Sequence, residues 1–268
     1  MLREIDLFLL DMDGTIYLGE SLIEGAREFL GLLERRGKGY CFLTNNSSKS
    51  AGSYLDKLRR FGIKARRKDL ATSTDVLIYY LKRTMPGASL YPVGTEEFEM
   101  ELAESGFTLV REYRDHPPVD YVVVGFDTTL NYRKLFDATR YIREGVPYFA
   151  THPDQNCPLE GGVYMPDCGA IIAFIEASTQ IPPAEIVGKP NPLVIEYLVE
   201  SRGLEKSKMA IVGDRLYTDI ELGRKGQITS ILVLSGESTR EDAATGMIKP
   251  DYIFDSVNDI YRALKLSE

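Results

Sequence analysis

The sequence has little of what secreted, zinc-binding or membrane-spanning proteins are built from. It contains three cysteines, Cys41, Cys157 and Cys168, an odd number without the spacing of metal ligands. Cys41 lies inside the apolar run of residues 40–43, which predicts a buried thiol in a reducing compartment. No basic start followed by an apolar core opens the sequence, and no apolar run reaches membrane-spanning length. We therefore expect a soluble, cytoplasmic protein.

The chain also lacks a basic face or tail. Its 268 residues include 40 acidic and 32 basic side chains, a formal net charge of −8, and these charges are spread along the sequence. Such a distribution argues against nucleic acid and against an anionic membrane as partners. An anionic substrate would need a cation placed locally. The length allows one large domain or two modest ones, and no solenoid repeat or low-complexity segment is visible.

The most informative stretch is Asp11-Met12-Asp13-Gly14-Thr15, which closes the apolar run of residues 7–10. The run predicts a buried strand, and positions i and i+2 of a strand point to the same side. Asp11 and Asp13 are therefore expected on one side of the carboxyl edge of a sheet, where open α/β folds bind ligands. An acidic turn with a helix cap is the alternative, because Asp and Gly are also ordinary turn residues.

The outer thirds of the chain alternate between strand and helix patterns. A helix is predicted at 25–36 and a strand at 40–43, which runs into Thr44-Asn45-Asn46. Short crossovers force parallel pairing, so Asp11 and Thr44 should be neighbours. In the last third, Ile186-Val187 is predicted to lead as a strand into Lys189.

The strand predicted at 209–212 ends in Gly213-Asp214 and continues to Asp219. We expect residues 1–79 and 181–268 to form one Rossmann-like, doubly wound parallel sheet of the α/β class.

Residues 80–180 have an α/β rhythm of their own, with strands predicted at 90–93, 121–124 and 147–150. Lys189 lies 144 positions after Asn45, whereas one helix-and-strand crossover needs about 30 residues. An inserted α/β domain is therefore predicted. It is expected to close over the crevice, exclude water and set the substrate specificity.

Polar residues follow four of the predicted core strands: Asp11 with Asp13, Thr44 with Asn45, Lys189, and Asp214 with Asp219. Each cluster alone could be a turn, but four of them on one edge favour an active site. Together they resemble the four motifs of the haloacid dehalogenase-like superfamily of phosphatases. Within the superfamily, the closer resemblance is to the class IIA branch, which is the NagD or 4-nitrophenylphosphatase-like one. It rests on the motifs Thr-Asn-Asn, Gly-Lys-Pro and Gly-Asp-Arg-Leu-x-Thr-Asp. The resemblance covers the whole chain and implies that the insertion is a class II cap.

A divalent metal is expected at these strand ends. Four carboxylates in one crevice repel one another and need a cation between them, and an all-oxygen shell suits Mg²⁺. The resemblance implies three ligands, namely the side chain of Asp11, the backbone carbonyl of Asp13, and Asp214. It gives Asp219 a supporting role.

The resemblance also implies a catalytic sequence. Asp11 would attack phosphorus and form an aspartyl-phosphate, while Asp13 would serve as acid and then as base. Lys189 would offset charge, and Thr44 and Asn45 would donate hydrogen bonds to the phosphoryl oxygens. The predicted function is a Mg²⁺-dependent phosphomonoesterase acting on a small cytosolic ester, such as a sugar phosphate, phosphoglycolate or a nucleoside monophosphate.

Substrate contacts and two other functions stay open. In the family, a loop rich in Asn, Pro and Asp approaches the site. The stretch Thr151-His152-Pro153-Asp154 matches it, with His152 where Asn is commoner. Asn46, His152 and Asp154 are therefore candidate substrate contacts, although polar loop residues more often cap and turn. A non-catalytic phospho-ligand sensor and a phosphomutase are the alternative functions, and a homodimer is a candidate assembly.

Overall fold

The computed structural model describes residues 2–159 and 162–266, which form two compact units. The first unit runs to Thr44 and includes Tyr54–Ala71 and the chain from Lys189 onward. The second unit consists of Asn45–Ser53 and Thr72–Gly188. It therefore extends beyond the predicted insertion of residues 80–180 at both ends, and it also takes in the segment that follows Thr44.

The strands and helices are numbered in chain order. Those before residue 73 are β1 (Leu7–Asp11), β2 (Tyr17–Leu18), β3 (Ser21–Leu22), α1 (Ala26–Arg35), β4 (Gly39–Thr44), α2 (Ala51–Arg60) and β5 (Leu70–Thr72). Those of the central part are α3 (Ser73–Thr84), β6 (Ser89–Val93), α4 (Glu96–Glu104), β7 (Thr108–Leu109), β8 (Tyr121–Val124), α5 (Tyr132–Arg143), β9 (Tyr148–Ala150), β10 (Asn156–Leu159), β11 (Val163–Pro166), α6 (Cys168–Thr179) and β12 (Glu185–Ile186). The last are α7 (Leu193–Arg202), β13 (Met209–Gly213), α8 (Glu221–Gly226), β14 (Thr229–Val233), α9 (Arg240–Thr245), β15 (Tyr252–Phe254) and α10 (Val257–Leu266).

The first unit is built on a six-stranded sheet in the order β15-β14-β13-β1-β4-β5. Strand β1 is central and pairs in parallel with both β13 and β4. Leu10 stands opposite Val212, and Asp11 stands opposite Leu43. Because parallel strands end at the same edge, the residues that follow β1, β4 and β13 come together there.

Helix α1 shows why the first unit packs as it does. Its apolar residues recur at helical spacing, and Phe29, Leu32 and Leu33 are all buried. The Phe29 ring packs edge-on against Phe8 of β1, with ring centroids 5.8 Å apart. The helix therefore packs on the central strand β1, which leads to Asp11.

The second unit has its own five-stranded sheet in the order β12-β9-β8-β6-β7, with parallel neighbours. Its longer helices begin at polar caps, as the side chains of Thr72 and Asn131 accept hydrogen bonds from the first turns of α3 and α5. The α/β class, with a Rossmann-like core and an inserted α/β cap, is thus confirmed.

The prediction that Ile186-Val187 continues the core sheet is wrong. Strand β12 pairs with β9 of the second unit, with Ile186 opposite Ala150, and the Val187 amide donates to the Ala150 carbonyl at 3.0 Å. Two strand residues carry too little pattern to reveal which sheet they join. Lys189 therefore follows a strand of the second sheet and is itself the first residue of the returning first unit.

The sequence patterns did not predict two short β-hairpins, β2–β3 and β10–β11. The β2–β3 pair has two residues in each strand, and β10–β11 contains Pro158 and Pro166, which demote a strand pattern. Within the described ranges 2–159 and 162–266, the helices are too short or too polar to cross a lipid bilayer.

Candidate active site

Asp11 and Asp13 separate at the end of β1. The strand ends at Asp11, Met12 turns into the interior with 1% exposure, and Asp13 forms an isolated bridge with Tyr17. Because the strand ends at Asp11, the two-residue alternation does not by itself fix the side on which the Asp13 carboxyl lies. Asp11 contacts Lys189, whereas the Asp13 carboxyl accepts a hydrogen bond from the Gly19 amide.

Asp214 and Asp219 reach the same edge from the end of β13. Asp214 directly follows the strand, and Asp219 lies in a π-helical turn, Leu216–Ile220. Two glycines make room for these side chains. A Cβ on Gly213 would lie 2.2 Å from the Asp219 carboxyl carbon, and one on Gly14, whose φ is +83°, would lie 2.5 Å from Oδ2 of Asp214. The absence of a side chain at Gly14 and Gly213 therefore lets the carboxylates of Asp214 and Asp219 lie close against the backbone after β1 and at the end of β13.

The carboxylates of Asp11, Asp214 and Asp219 form one group. Each offers an oxygen, and these oxygens all lie within 4.8 Å of one another. The Lys189 ammonium contacts Asp11 and donates to Oδ1 of Asp219 at 2.7 Å. Lys189 thus contacts two of the three acids, while Arg215 also attracts Asp11 and Asp214. Burial of the acids still leaves the group short of positive charge.

The pKa values of the group reflect this shortage of positive charge. Burial raises the pKa of Asp11 to about 7, with Lys189 opposing and Asp219 adding to the rise. Burial, together with repulsion from Asp11 and Asp219, raises the pKa of Asp214 well above its ordinary value. Burial alone would lower the pKa of Lys189, but attraction to Asp11 and Asp219 raises it. The acids thus need a further positive charge to stay ionised together.

A divalent cation fits this group. Oδ2 of Asp214 accepts a hydrogen bond from the Glu237 amide at 2.7 Å, but within the described residues no donor reaches its buried Oδ1. Both oxygens of Asp219, in contrast, accept hydrogen bonds, from Lys189 and from the Arg215 amide at 3.1 Å. An unused carboxylate oxygen beside Asp11, in an all-oxygen donor set, suits Mg²⁺.

Asp13 differs from the buried acids. The residue is solvent-accessible, and desolvation of its carboxyl by neighbouring atoms raises its pKa against the attraction of Lys57 and Arg215. A carboxyl that keeps its proton to higher pH than usual is suited to proton donation.

The predicted phosphate-binding residues lie on both sides of a unit border. Thr44 is the buried last residue of β4 in the first unit, and Asn45 begins the second unit. The side chain of Asn46 accepts hydrogen bonds from the amide and hydroxyl of Ser48, at 2.9 Å and 2.8 Å, so it closes a turn.

The two remaining candidates, His152 and Asp154, are buried in the second unit. The structure places them beside Asn45, whose Nδ2 donates to Oδ2 of Asp154 at 3.1 Å.

Sequence reasoning missed the loop after β14. The Glu237 amide donates to Asp214, the Ser238 amide donates to the Asp214 carbonyl at 3.0 Å, and the Ser235 hydroxyl donates to the Gly14 carbonyl at 2.7 Å. Two of these contacts use backbone amides and leave no side-chain signal. The loop directly follows β14, a parallel strand of the core sheet, and this position is the clue that the topology offers.

Comparisons with known proteins agree with this geometry. Residues 8–108 match the family model described as haloacid dehalogenase-like hydrolase, and residues 186–260 match a second model of HAD-hydrolase-like proteins. The matched ranges contain the ends of β1 and β13, where the carboxylate group is formed.

Three similar proteins are named as phosphatases. The chain is 35% identical over 264 residues to an acid sugar phosphatase of Staphylococcus aureus, covering 98% of this chain and all of the relative. A 4-nitrophenylphosphatase from Thermotoga maritima is 42% identical, covers 98% of both chains and superposes with a TM-score of 0.93. A glycerol phosphate phosphatase from Mycobacterium tuberculosis in complex with magnesium is 31% identical over 97% of this chain and 78% of its own, with a TM-score of 0.89. The chain therefore belongs to the haloacid dehalogenase-like hydrolases, as a phosphatase of their NagD and 4-nitrophenylphosphatase-like branch.

Proposed function

We propose that the protein is a Mg²⁺-dependent phosphomonoesterase that hydrolyses small phosphorylated metabolites, with sugar phosphates and glycerol phosphate as the first candidates. The observation that carries this proposal is the group of Asp11, Asp214 and Asp219, two of them buried and one half-buried, with Lys189 on two of its members. The activities named for the S. aureus and M. tuberculosis relatives support the substrate class.

The proposed Mg²⁺ ligands are the carboxylates of Asp11 and Asp214 and the backbone carbonyl of Asp13. A cation bound there offsets the repulsion between the acids and withdraws charge from the phosphoryl oxygens. Asp219 supports the site by holding Lys189 and the Arg215 amide, since both of its oxygens are occupied.

In the proposed reaction, an oxygen of Asp11 attacks phosphorus in line, and the bond from phosphorus to the ester oxygen breaks. Asp13 gives its proton to that oxygen, so an alcohol leaves and an aspartyl-phosphate stays on Asp11. Asp13, now a carboxylate, takes a proton from the water that attacks the phosphorus. The bond from the Asp11 oxygen to phosphorus breaks, inorganic phosphate leaves, and both acids return to their first state. Thr44 and Asn45 donate hydrogen bonds to the phosphoryl oxygens, and Lys189 offsets their charge.

The relatives favour hydrolysis over the two alternatives left open by the sequence, because they are named as phosphatases. A sensor would bind a phosphorylated ligand without turnover. A phosphomutase would pass the phosphoryl group to a second hydroxyl rather than to water, and inorganic phosphate would not accumulate.

The test is phosphate release from sugar phosphates, glycerol phosphate, phosphoglycolate, nucleoside monophosphates and 4-nitrophenyl phosphate, with Mg²⁺ and with EDTA. We expect turnover only with the metal, and a loss of about 10⁴-fold or more in Asp11→Asn, which removes the nucleophile. Full activity in EDTA, or in Asp11→Asn, would contradict the proposal.

A further inference from the structure

His152 is a fully buried histidine of the second unit that the proposed reaction does not use. Its ring lies between two carboxylates, with Nδ1 3.4 Å from Oδ2 of Asp154 and Nε2 3.5 Å from Oδ1 of Asp167. These are ion-pair distances, and among the described residues neither ring nitrogen has a hydrogen-bond partner. Burying polar nitrogens in this way costs free energy, which points to a role for the ring.

Asp154 connects this imidazole to Asn45. The oxygen that faces His152, Oδ2, also accepts the hydrogen bond from Nδ2 of Asn45 at 3.1 Å. The other end of the amide lies against Gly188, where an added Cβ would come within 2.8 Å of Oδ1. Because the two ends of the amide have different surroundings, its orientation is defined.

The backbone around His152 is fixed without the imidazole. The Gly188 amide donates to the Thr151 carbonyl at 2.7 Å, and the Gly169 amide donates to the Asp154 carbonyl at 2.8 Å. These bonds hold the loop before and after His152. The ring is therefore not needed to place the loop, and what it can add is a direction for the Asp154 carboxylate.

The loop also contacts two chain segments that lead into predicted site residues. Asn45 directly follows Thr44, and Gly188 directly precedes Lys189. A displacement of the loop would therefore first shift Asn45 and Gly188, the residue before Lys189.

From these contacts we infer that His152 is a positioning residue, which orients Asn45 for phosphate through the Asp154 carboxylate. The inference rests on the proposed function, in which Asn45 donates to the phosphoryl group. It replaces direct substrate contact as the role of His152, because a fully buried ring presents no donor to a ligand.

Two amide substitutions separate the two ring nitrogens. In His152→Asn the side-chain amide takes roughly the place of Nδ1 and can face Asp154 as a donor, whereas in His152→Gln it reaches the place of Nε2, beside Asp167. We expect His152→Gln to weaken inorganic phosphate binding by about tenfold, and His152→Asn to stay within about threefold of wild type. The readouts are the calorimetric Kd of inorganic phosphate with Mg²⁺ and its inhibition constant against 4-nitrophenyl phosphate.

Asn45→Ala shows whether His152 acts through Asn45. Alone, it is expected to raise the same Kd by about tenfold, and adding His152→Gln should raise it by less than about twofold more. A histidine with only a structural role would give additive losses. Additivity, or equal losses in the two amide variants, would overturn the inference.

The outcomes of these experiments distinguish a failure of the proposed function from a failure of the inference about His152. If the wild type releases no phosphate from any ester with Mg²⁺, the proposed function fails, and calorimetry with inorganic phosphate still tests the positioning role. If the wild type turns over but His152→Gln binds phosphate as tightly as wild type does, the inference fails alone. Should His152→Gln not fold, judged by near-ultraviolet circular dichroism, Asp154→Ala removes the same link. It then carries the same expected tenfold loss, and a loss under about twofold overturns the inference.

Discussion

In each unit, carboxylates surround a basic side chain, Lys189 in the first unit and His152 in the second. The two sets of carboxylates differ in their hydrogen-bond partners. In the first unit, Lys189 contacts Asp11 and Asp219, while Oδ1 of the adjacent Asp214 has no hydrogen-bond donor among the described residues. In the second, the acids beside His152 accept hydrogen bonds from protein groups, Asp154 from Asn45 and Asp167 from the first amide of α6. The first cluster therefore keeps a carboxylate oxygen open for the proposed Mg²⁺, whereas the acids of the second already accept hydrogen bonds from protein groups.

Replacing the proton donor tests the chemical side of this comparison and should have the largest effect. Asp13→Asn is expected to lower turnover of a sugar phosphate by about 10³-fold, because the amide cannot protonate the leaving oxygen. The loss should be smaller with 4-nitrophenyl phosphate, whose leaving group is a weak base. Steady-state kinetics on both esters give the two ratios.

A matched control is Asp69→Asn, which changes an acid of the first unit that pairs with Arg66 at 2.9 Å. Its turnover should stay within about twofold of wild type. Equal losses on both esters in Asp13→Asn would mean that Asp13 does not act as an acid.

Removing the Lys189 ammonium tests the excess negative charge of the carboxylate group in the first unit. Lys189→Met leaves three neighbouring carboxylates without their ammonium, and we expect about 3–5 kcal/mol less free energy of unfolding in EDTA. Mg²⁺ should restore part of this loss without restoring activity, because it offsets the carboxylates but does not replace the charge that Lys189 offers to the phosphoryl oxygens. Urea denaturation with and without Mg²⁺ measures the effect.

His152→Asn provides the contrast from the second unit. Its unfolding free energy should respond to Mg²⁺ as that of the wild type does, since no acid beside His152 belongs to the carboxylate group. A stability of Lys189→Met that is indifferent to Mg²⁺ would show that the two clusters do not differ in this way.

The first cluster could be predicted from sequence and the second could not, for a physical reason. Asp11 and Asp214 directly follow apolar runs, and parallel pairing by short crossovers brings such strand ends to one edge. The contact between Asn45 and Asp154 joins residues 109 positions apart and depends on how loops of one unit pack. No local periodicity encodes such a contact, nor the backbone amide of Glu237 on Asp214.

The turn after β1 shows the limit within the predicted site itself. The pattern of the Asp11 motif identified both acids, but it did not show that the strand ends at Asp11. The division of roles between Asp11 and Asp13 depends on that ending. Strand ends are set by tertiary contacts and turns more than by the residues inside the strand.

Glu97 is an acid of the second unit and has the smallest expected effect. It tests whether the acids of this unit serve the fold rather than the reaction. Partial burial works against its ionisation, but hydrogen bonds from the Ser50 amide at 2.6 Å and the Ser53 hydroxyl at 2.8 Å lower the pKa of Glu97 to about 2. Since this pKa lies below the unfolded value, its contribution to stability is present above that value and is lost as the pH falls through the folded one. Glu97→Gln should therefore cost about 1–2 kcal/mol at neutral pH and almost nothing near pH 2.

The control is Glu96→Gln, one position earlier in α4, which removes the same charge from the same helix turn at an exposed residue. Its unfolding free energy should differ from wild type by less than about 0.5 kcal/mol at every pH, because an exposed charge contributes little. Since Ser50 and Ser53 belong to the segment that starts at Asn45, the scaffold role also requires that Glu97→Gln leave kcat on 4-nitrophenyl phosphate unchanged. A pH-independent loss in Glu97→Gln would place its effect in packing, and a fall in kcat would mean that acids of the second unit serve the reaction as well as the fold.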